Sequence, residues 1–167
     1  MDETGDLKRG TATVGTQRQY TGTAGRTENA QVAVYLAYAA AAGSAFIDRA
    51  LYLPRSWTGD PARCRAAGVP AGTAFATKPA LAMQMIIRAL DAGTPAAWVT
   101  ADEVYGQDPA LRAGLARRGL GYVLAIPKRH LVITGIGAPR DLAGKAAARP
   151  GLAADVRQAR RQRPPLV

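Results

Sequence analysis

The chain has 167 residues, with 22 basic and 12 acidic side chains and a formal net charge of +10. This length fits one domain, and this charge favours an anionic partner. A single cysteine, Cys64, excludes an internal disulfide and a cysteine-rich zinc site. No apolar run reaches the roughly 18 residues of a membrane span. The first residues are acidic where a secretory signal is basic, so we expect a cytoplasmic protein without a membrane partner.

The first strong periodicity is an alternation of side chains over Gln31–Tyr38, which predicts a strand. After a turn of small residues, a second alternating run, Ala45–Leu53, ends at Pro54 and predicts an antiparallel hairpin with the first. Upstream, the weaker alternation of Thr11–Gln19 predicts a third antiparallel strand. Residues 55–76 are interrupted by glycine and proline and predict a connection.

A helix is predicted over residues 78–92, with Thr77 as its N-cap and Pro79 in its first turn. Its apolar stripe consists of Met83, Ile86, Ile87 and Leu90, at helical spacing. This stripe needs a partner, so we expect the helix to cover the sheet.

Three more elements follow in the predicted order. They are a strand at 97–101, a helix at 109–118 that begins after Asp108, and a buried-type strand at 121–126. Trp57 is predicted as a packing residue and Trp98 as a core residue. The fold class is therefore α/β: a mixed sheet of antiparallel hairpin strands followed by helix, strand, helix and strand.

Residues 139–167 have a different composition from the rest of the chain. They carry seven basic and two acidic residues, half of the net charge, together with four prolines and no aromatic residue. Such a segment buries too little apolar surface to offset the entropy lost on ordering. We therefore expect one folded domain at 1–138 and a disordered basic tail at 139–167, with at most a fraying helix near 152–163.

Two acidic residues stand where a sheet places its ligands. Asp2 lies at the start of the chain, and Asp102 follows the strand 97–101 at its carboxyl end. Carboxylates that converge from different strands hold Mg²⁺ or Mn²⁺, and a pair of such ions supports phosphodiester cleavage. Acids in turns and at helix N-termini are more often solvated or capping. The pattern alone leaves both readings open.

Three blocks of sequence resemble the DDE transposases of bacterial insertion sequences: Asp2–Gly10, Gln17–Val34 and Ala101–Gly106. With weaker blocks, the resemblance runs through nearly all of residues 2–137. It implies an incomplete ribonuclease-H-like catalytic domain that acts on transposon-end DNA by metal-assisted hydrolysis and strand transfer, with Mg²⁺ or Mn²⁺. It also implies that Asp2 matches the first catalytic, metal-binding acid of the family and Asp102 the second.

Two parts of the family pattern are missing. In the family, an apolar strand precedes the first aspartate, and a glutamate from a later helix completes the triad. Here only Met1 precedes Asp2, and no glutamate follows Glu103. The tail composition is typical of a shifted reading frame. We therefore expect a truncated, inactive chain in which the likeness ends near Gly137.

Two other functions stay open. The first is a non-catalytic basic DNA-binding remnant, either inert or inhibitory to a full-length transposase copy. The second is an unrelated basic adaptor or ribosome-associated protein, which would explain the tail but not the acidic block.

Four basic residues of the matching blocks are candidate DNA contacts: Lys8, Arg9, Arg18 and Arg26. Their solvation as ordinary surface charges is the alternative. The only histidine, His130, belongs to a predicted basic turn. Histidine-dependent catalytic triads and multi-histidine metal sites are therefore excluded.

Overall fold

The computed structural model describes residues 1–133 and 140–142. In chain order the elements are β1 (Asp2–Leu7), β2 (Gln17–Thr21), β3 (Arg26–Ala40), β4 (Gly43–Leu51), α1 (Arg55–Thr58), α2 (Pro61–Ala66), α3 (Lys78–Asp91), β5 (Trp98–Ala101), α4 (Glu103–Gly106), α5 (Pro109–Arg117), β6 (Gly121–Leu124), β7 (Leu131–Ile133) and β8 (Arg140–Leu142). This order confirms the α/β class, but the predicted single mixed sheet is wrong, because the antiparallel strands β1–β4 and the parallel pair β5–β6 form separate sheets. The ribonuclease-H-like arrangement stays a prediction.

The long strand β3 organises the larger sheet, because it pairs antiparallel with β1, β2 and β4. The predicted hairpin of residues 31–38 and 45–53 is confirmed as the pair β3–β4. A register shift between Leu36 and Ala37 interrupts this pair. Such a bulge bends and twists the strand that contains it.

The sequence patterns gave wrong predictions for the first two strands. No strand is predicted for residues 2–7, yet β1 pairs with β3 from Asp2↔Tyr35 to Leu7↔Ala30. Neither face of β1 carries an apolar alternation that would mark it as a strand. The third strand lies at 17–21 and not at 11–19, because Gly10 and Gly15 both take φ of 76° and turn the chain between β1 and β2.

The core lies between one face of this sheet and α3. Alternate residues of β3 are buried on that face: Ala30, Val32, Val34 and Leu36. The predicted helix is confirmed, and Thr77 Oγ1 accepts a hydrogen bond from Ala80 N at 3.2 Å. The buried face of the helix differs from the predicted stripe. It is centred on Ala82, Met85 and Ile86. Full burial of a side chain such as Met85 stabilises the fold by about 1.5–3 kcal/mol.

The predicted strand at 97–101 and helix at 109–118 are confirmed as β5 and α5. Strands β5 and β6 form a separate parallel pair that packs one face on the helices. Its other face is open, so the predictions of a core Trp98 and a buried β6 are wrong: Trp98 is 58% exposed and Val123 61%. The Trp98 ring lies over Gly121, where an added Cβ would be 2.6 Å from the ring.

The predicted connection at 55–76 contains the short helices α1 and α2. Trp57 of α1 is fully buried, as predicted for a packing residue. Its Nε1 donates a hydrogen bond to Thr16 O at 2.9 Å, and the Arg63 guanidinium lies 3.8 Å from the centre of its ring. These contacts attach the loop before β2 to the connection.

The predicted tail mostly lies outside the described residues, including the candidate helix near 152–163. Residues 140–142 form β8, which pairs antiparallel with β7. The domain boundary at 138 stays a prediction. No helix in the described ranges is long and apolar enough to cross a membrane.

Candidate functional site

Asp2 and Asp102 line the same open cleft, which has a volume of about 510 Å³. Asp2 is the first residue of β1, and Asp102 stands between β5 and α4. The remaining walls come from β1, α4 and the β2–β3 hairpin: Glu3, Thr4, Tyr20, Gly22, Thr23, Glu103 and Val104. The fold therefore brings together two acids that lie a hundred residues apart.

Each aspartate is held through one carboxylate oxygen. Asp102 is the N-cap of α4, and its Oδ1 accepts a hydrogen bond from Val104 N at 3.0 Å. Asp2 Oδ1 accepts from Glu3 N at 2.7 Å. Within the described ranges the Oδ2 atom of each residue has no hydrogen-bond or ion-pair partner. One oxygen of each carboxylate is thus available to a ligand in the cleft.

The amino group of Met1 lies close to both carboxylates. It donates a hydrogen bond to Thr100 O at 2.9 Å, which joins the start of β1 to β5. Burial lowers the pKa of this amine below its usual value, and the negative charges of Asp2 and Asp102 partly oppose that shift. The contact explains how the beginning of a short polar strand is held beside Asp102.

A mostly buried polar cluster of Glu3, Lys78 and Tyr105 joins β1, α3 and α4 next to the cleft. Lys78 Nζ lies 2.5 Å from Glu3 Oε1, and the two side chains are only 18% and 10% exposed. Glu3 Oε2 and the Tyr105 hydroxyl are buried and near each other, but neither makes a well-formed hydrogen bond with the described residues. Burial, and then the nearby carboxylates, raise the pKa of Tyr105 far above its usual range. Its hydroxyl therefore stays protonated.

The β2–β3 hairpin reaches the cleft because a glycine in β1 lets it approach. Gly5 N donates a hydrogen bond to Thr23 Oγ1 at 3.3 Å. A Cβ added to Gly5 would lie 1.9 Å from Thr21 Oγ1, so no larger residue fits without a shift. This close contact sets the position of Tyr20 and Thr23 beside Asp2.

The donor atoms of the cleft suit a hard divalent cation. Magnesium is commonly held by one or two carboxylates and completes its octahedral shell with water and substrate phosphate oxygens. The Oδ2 atoms of Asp2 and Asp102, which have no partner in the described part of the chain, fit that description. Within residues 1–133 and 140–142, however, no three Asp, Glu, His or Cys side chains are grouped to hold a metal. The third carboxylate of the family pattern has no counterpart in the described structure.

The four basic candidates divide into two pairs. Lys8 forms an ion pair with Asp6, and Arg26 forms one with Glu28 at 2.7 Å. Arg9 and Arg18 are exposed and make no ion pair within the described ranges. Arg9 and Arg18 therefore present their full charge to solvent.

Three functional candidates escape the sequence patterns: Tyr20, Lys78 and Tyr105. Tyr20 lines the cleft, Lys78 forms an ion pair with Glu3, and Tyr105 lies near Glu3. The only local signal is that Tyr105 lies in the short helix capped by Asp102. Nothing in the spacing connects Lys78 with Glu3, 75 residues away.

Comparisons with known proteins show which family the chain resembles. A family model described as "DDE superfamily endonuclease" matches residues 1–165. Over 134 residues the chain is 33% identical to the "Probable transposase for insertion sequence element IS701" of Microchaete diplosiphon, covering 79% of this chain and 32% of that protein. The chain thus spans about a third of this relative's length.

No solved structure matches the chain significantly. The family match continues to residue 165, so the expectation that the likeness ends near Gly137 is wrong. The matched range includes both aspartates of the cleft and most of the basic tail. The chain therefore belongs to the family of DDE superfamily endonucleases.

Proposed function

We propose that the chain carries part of the catalytic domain of an insertion-sequence transposase, with Asp2 and Asp102 as its first two catalytic acids. The observation that carries the proposal is their convergence on one cleft, where the Oδ2 atom of each makes no hydrogen bond or ion pair with the described residues. The family match and the similarity to a probable transposase support it. The substrate is DNA at transposon ends, which the net charge of +10 attracts through its phosphates.

Asp2 and Asp102 are the residues that would hold Mg²⁺ or Mn²⁺. When bound, such ions activate a water or a 3′-hydroxyl and stabilise the leaving oxygen of a phosphodiester. The protein's own contribution is to orient the two carboxylates. The N-cap bond fixes Asp102, strand pairing with Tyr35 fixes Asp2, and the Glu3–Lys78 ion pair holds β1 against α3.

We infer that this chain by itself binds DNA without cutting or joining it. Two carboxylates leave a catalytic ion under-coordinated, and a site whose supporting residues are incomplete loses the geometry of the reaction. Such a chain would compete with a full-length transposase for DNA or assemble with it, which is a second, inhibitory function.

The test is an Asp102→Asn variant, because asparagine caps a helix as well as aspartate does. The matched control is Asp108→Asn, since Asp108 caps α5 outside the cleft through a 2.8 Å bond from Leu111 N. We expect Mn²⁺ binding, followed by electron paramagnetic resonance, to weaken at least about tenfold in Asp102→Asn and to stay unchanged in Asp108→Asn. Equal Mn²⁺ affinity of the wild type and Asp102→Asn contradicts the proposed site.

A nicking and strand-transfer assay on insertion-sequence ends, with magnesium and with manganese, tests the second part. We expect DNA binding that weakens with salt and no cleavage products. Cleavage that Asp102→Asn abolishes would show a working enzyme and refute the inferred inactivity.

A further inference from the structure

The sheet face opposite α3 is open around Tyr35. Residues directly opposed in an antiparallel pair point to the same face of a sheet. Asp2 opposes Tyr35 on β3, and Tyr35 opposes Arg49 on β4. Because Val34 and Leu36 point into the core, this row of three side chains lies on the other face. A catalytic candidate, an aromatic ring and a guanidinium therefore stand side by side across three strands.

Exposed aromatic rings flank this row. Phe46 of β4 lies with its ring centre 5.3 Å from that of Tyr35, and 77% of Phe46 is exposed. Tyr20, which is 60% exposed, lines the cleft itself. Exposed apolar groups that form a contiguous patch on a folded domain commonly mark a binding surface. Arg49 makes no ion pair with the described residues, so its charge is available to an anion.

We propose that Tyr20, Tyr35, Phe46 and Arg49 form a contact surface for single-stranded DNA that leads into the cleft. The inference rests on the proposed function, which supplies DNA as the partner. Exposed aromatic rings stack on bases of any sequence, and an arginine on the same sheet face binds the phosphate. The bases of a duplex are already stacked on one another, so this surface favours unpaired nucleotides next to the reacting phosphodiester.

The open face of the β5–β6 pair lacks this combination. Trp98 and Val123 are exposed there, but the described residues of that face include no basic side chain. No partner for this face is indicated by the described residues. Trp98 instead offers a matched control, because it is an exposed aromatic residue of a strand outside the proposed surface.

The experiment measures fluorescence anisotropy of labelled single-stranded and duplex oligonucleotides of the same sequence. Phe46→Ala and Tyr20→Ala are each expected to weaken single-strand binding about fivefold or more, with an unchanged salt dependence and an unchanged duplex affinity. Trp98→Ala is expected to bind both as the wild type does. Circular dichroism checks folding, which Phe46→Ala should preserve because its ring is mostly in solvent.

Arg49→Ala tests the phosphate contact separately. We expect it to reduce the slope of log affinity against log salt concentration by about 0.7 for single strands. The control is Arg117→Ala, at the last turn of α5 and away from the cleft. A slope unchanged in Arg49→Ala, or changed equally in Arg117→Ala, contradicts the assignment of Arg49.

The inference and the proposed function fail in different ways. The proposed surface is contradicted if Phe46→Ala and Tyr20→Ala both bind single-stranded DNA as tightly as the wild type does. It is also contradicted if these variants lose affinity for duplex and single-stranded DNA equally. If Asp102→Asn still loses Mn²⁺ binding, the proposed function survives that result. A chain that binds no DNA even at low salt contradicts the proposed function itself.

Discussion

Replacement of Lys78 by methionine is the most direct test of how the acidic strand is held. Methionine keeps an unbranched apolar side chain but leaves Glu3 without its cation, and Glu3 Oε2 already lacks a partner among the described residues. Removing one partner of a buried ion pair costs about 3–5 kcal/mol. Because the two side chains are 18% and 10% exposed, we expect the lower end, about 3 kcal/mol. Small domains have a free energy of unfolding of about 5–15 kcal/mol, so the variant should still fold.

The assay is urea unfolding followed by circular dichroism at low ionic strength. The matched control is Arg118→Met, which removes an ion pair with Asp91 whose side chains are 39% and 62% exposed, and which should cost no more than about 1 kcal/mol. Adding Glu3→Gln to Lys78→Met should recover much of the loss, because the double variant leaves no charge at either position of this pair. Equal losses in Lys78→Met and Arg118→Met would refute the reasoning.

Two further predictions concern the surroundings of the cleft. Gly5→Ala should lower the unfolding midpoint in urea, because the new Cβ meets the side chain of Thr21. Gly22→Ala is the control and should be nearly neutral, since its new Cβ has no neighbouring atom within 4 Å. The raised pKa of Tyr105 means that the folded chain keeps a proton that the unfolded chain loses above about pH 10. Its stability should therefore fall above that pH by up to about 1.4 kcal/mol per unit, and Tyr105→Phe should remove this part of the slope in pH-dependent melts.

Local patterns in the sequence were sufficient for the elements that have a buried face and distinct ends. The β3–β4 hairpin has alternating side chains and a small-residue turn, and α3 has an N-cap and an apolar face. The position of Asp102 at the end of β5 follows from the same patterns. Elements of this kind are specified by residues that are neighbours in the chain.

Strand β1 shows where such patterns fail. Its own residues are polar or small, and it becomes a strand because its backbone pairs with β3 and because Gly5 accepts Thr21. In the same way, periodicity places Trp98 and Val99 on opposite faces of β5 but cannot tell which face is covered. The helices cover the face of Val99, so Trp98 is exposed.

The same distinction between local pattern and tertiary packing applies to the acidic cleft. The amino-acid sequence, through its resemblance to a family, is sufficient to identify Asp2 and Asp102 as candidates. Only the tertiary structure brings them to one cleft, adds Tyr20 to its wall and links Glu3 to Lys78 and Tyr105. The physical reason is that side-chain periodicity encodes which residues share a face, whereas the packing of distant elements decides what that face meets.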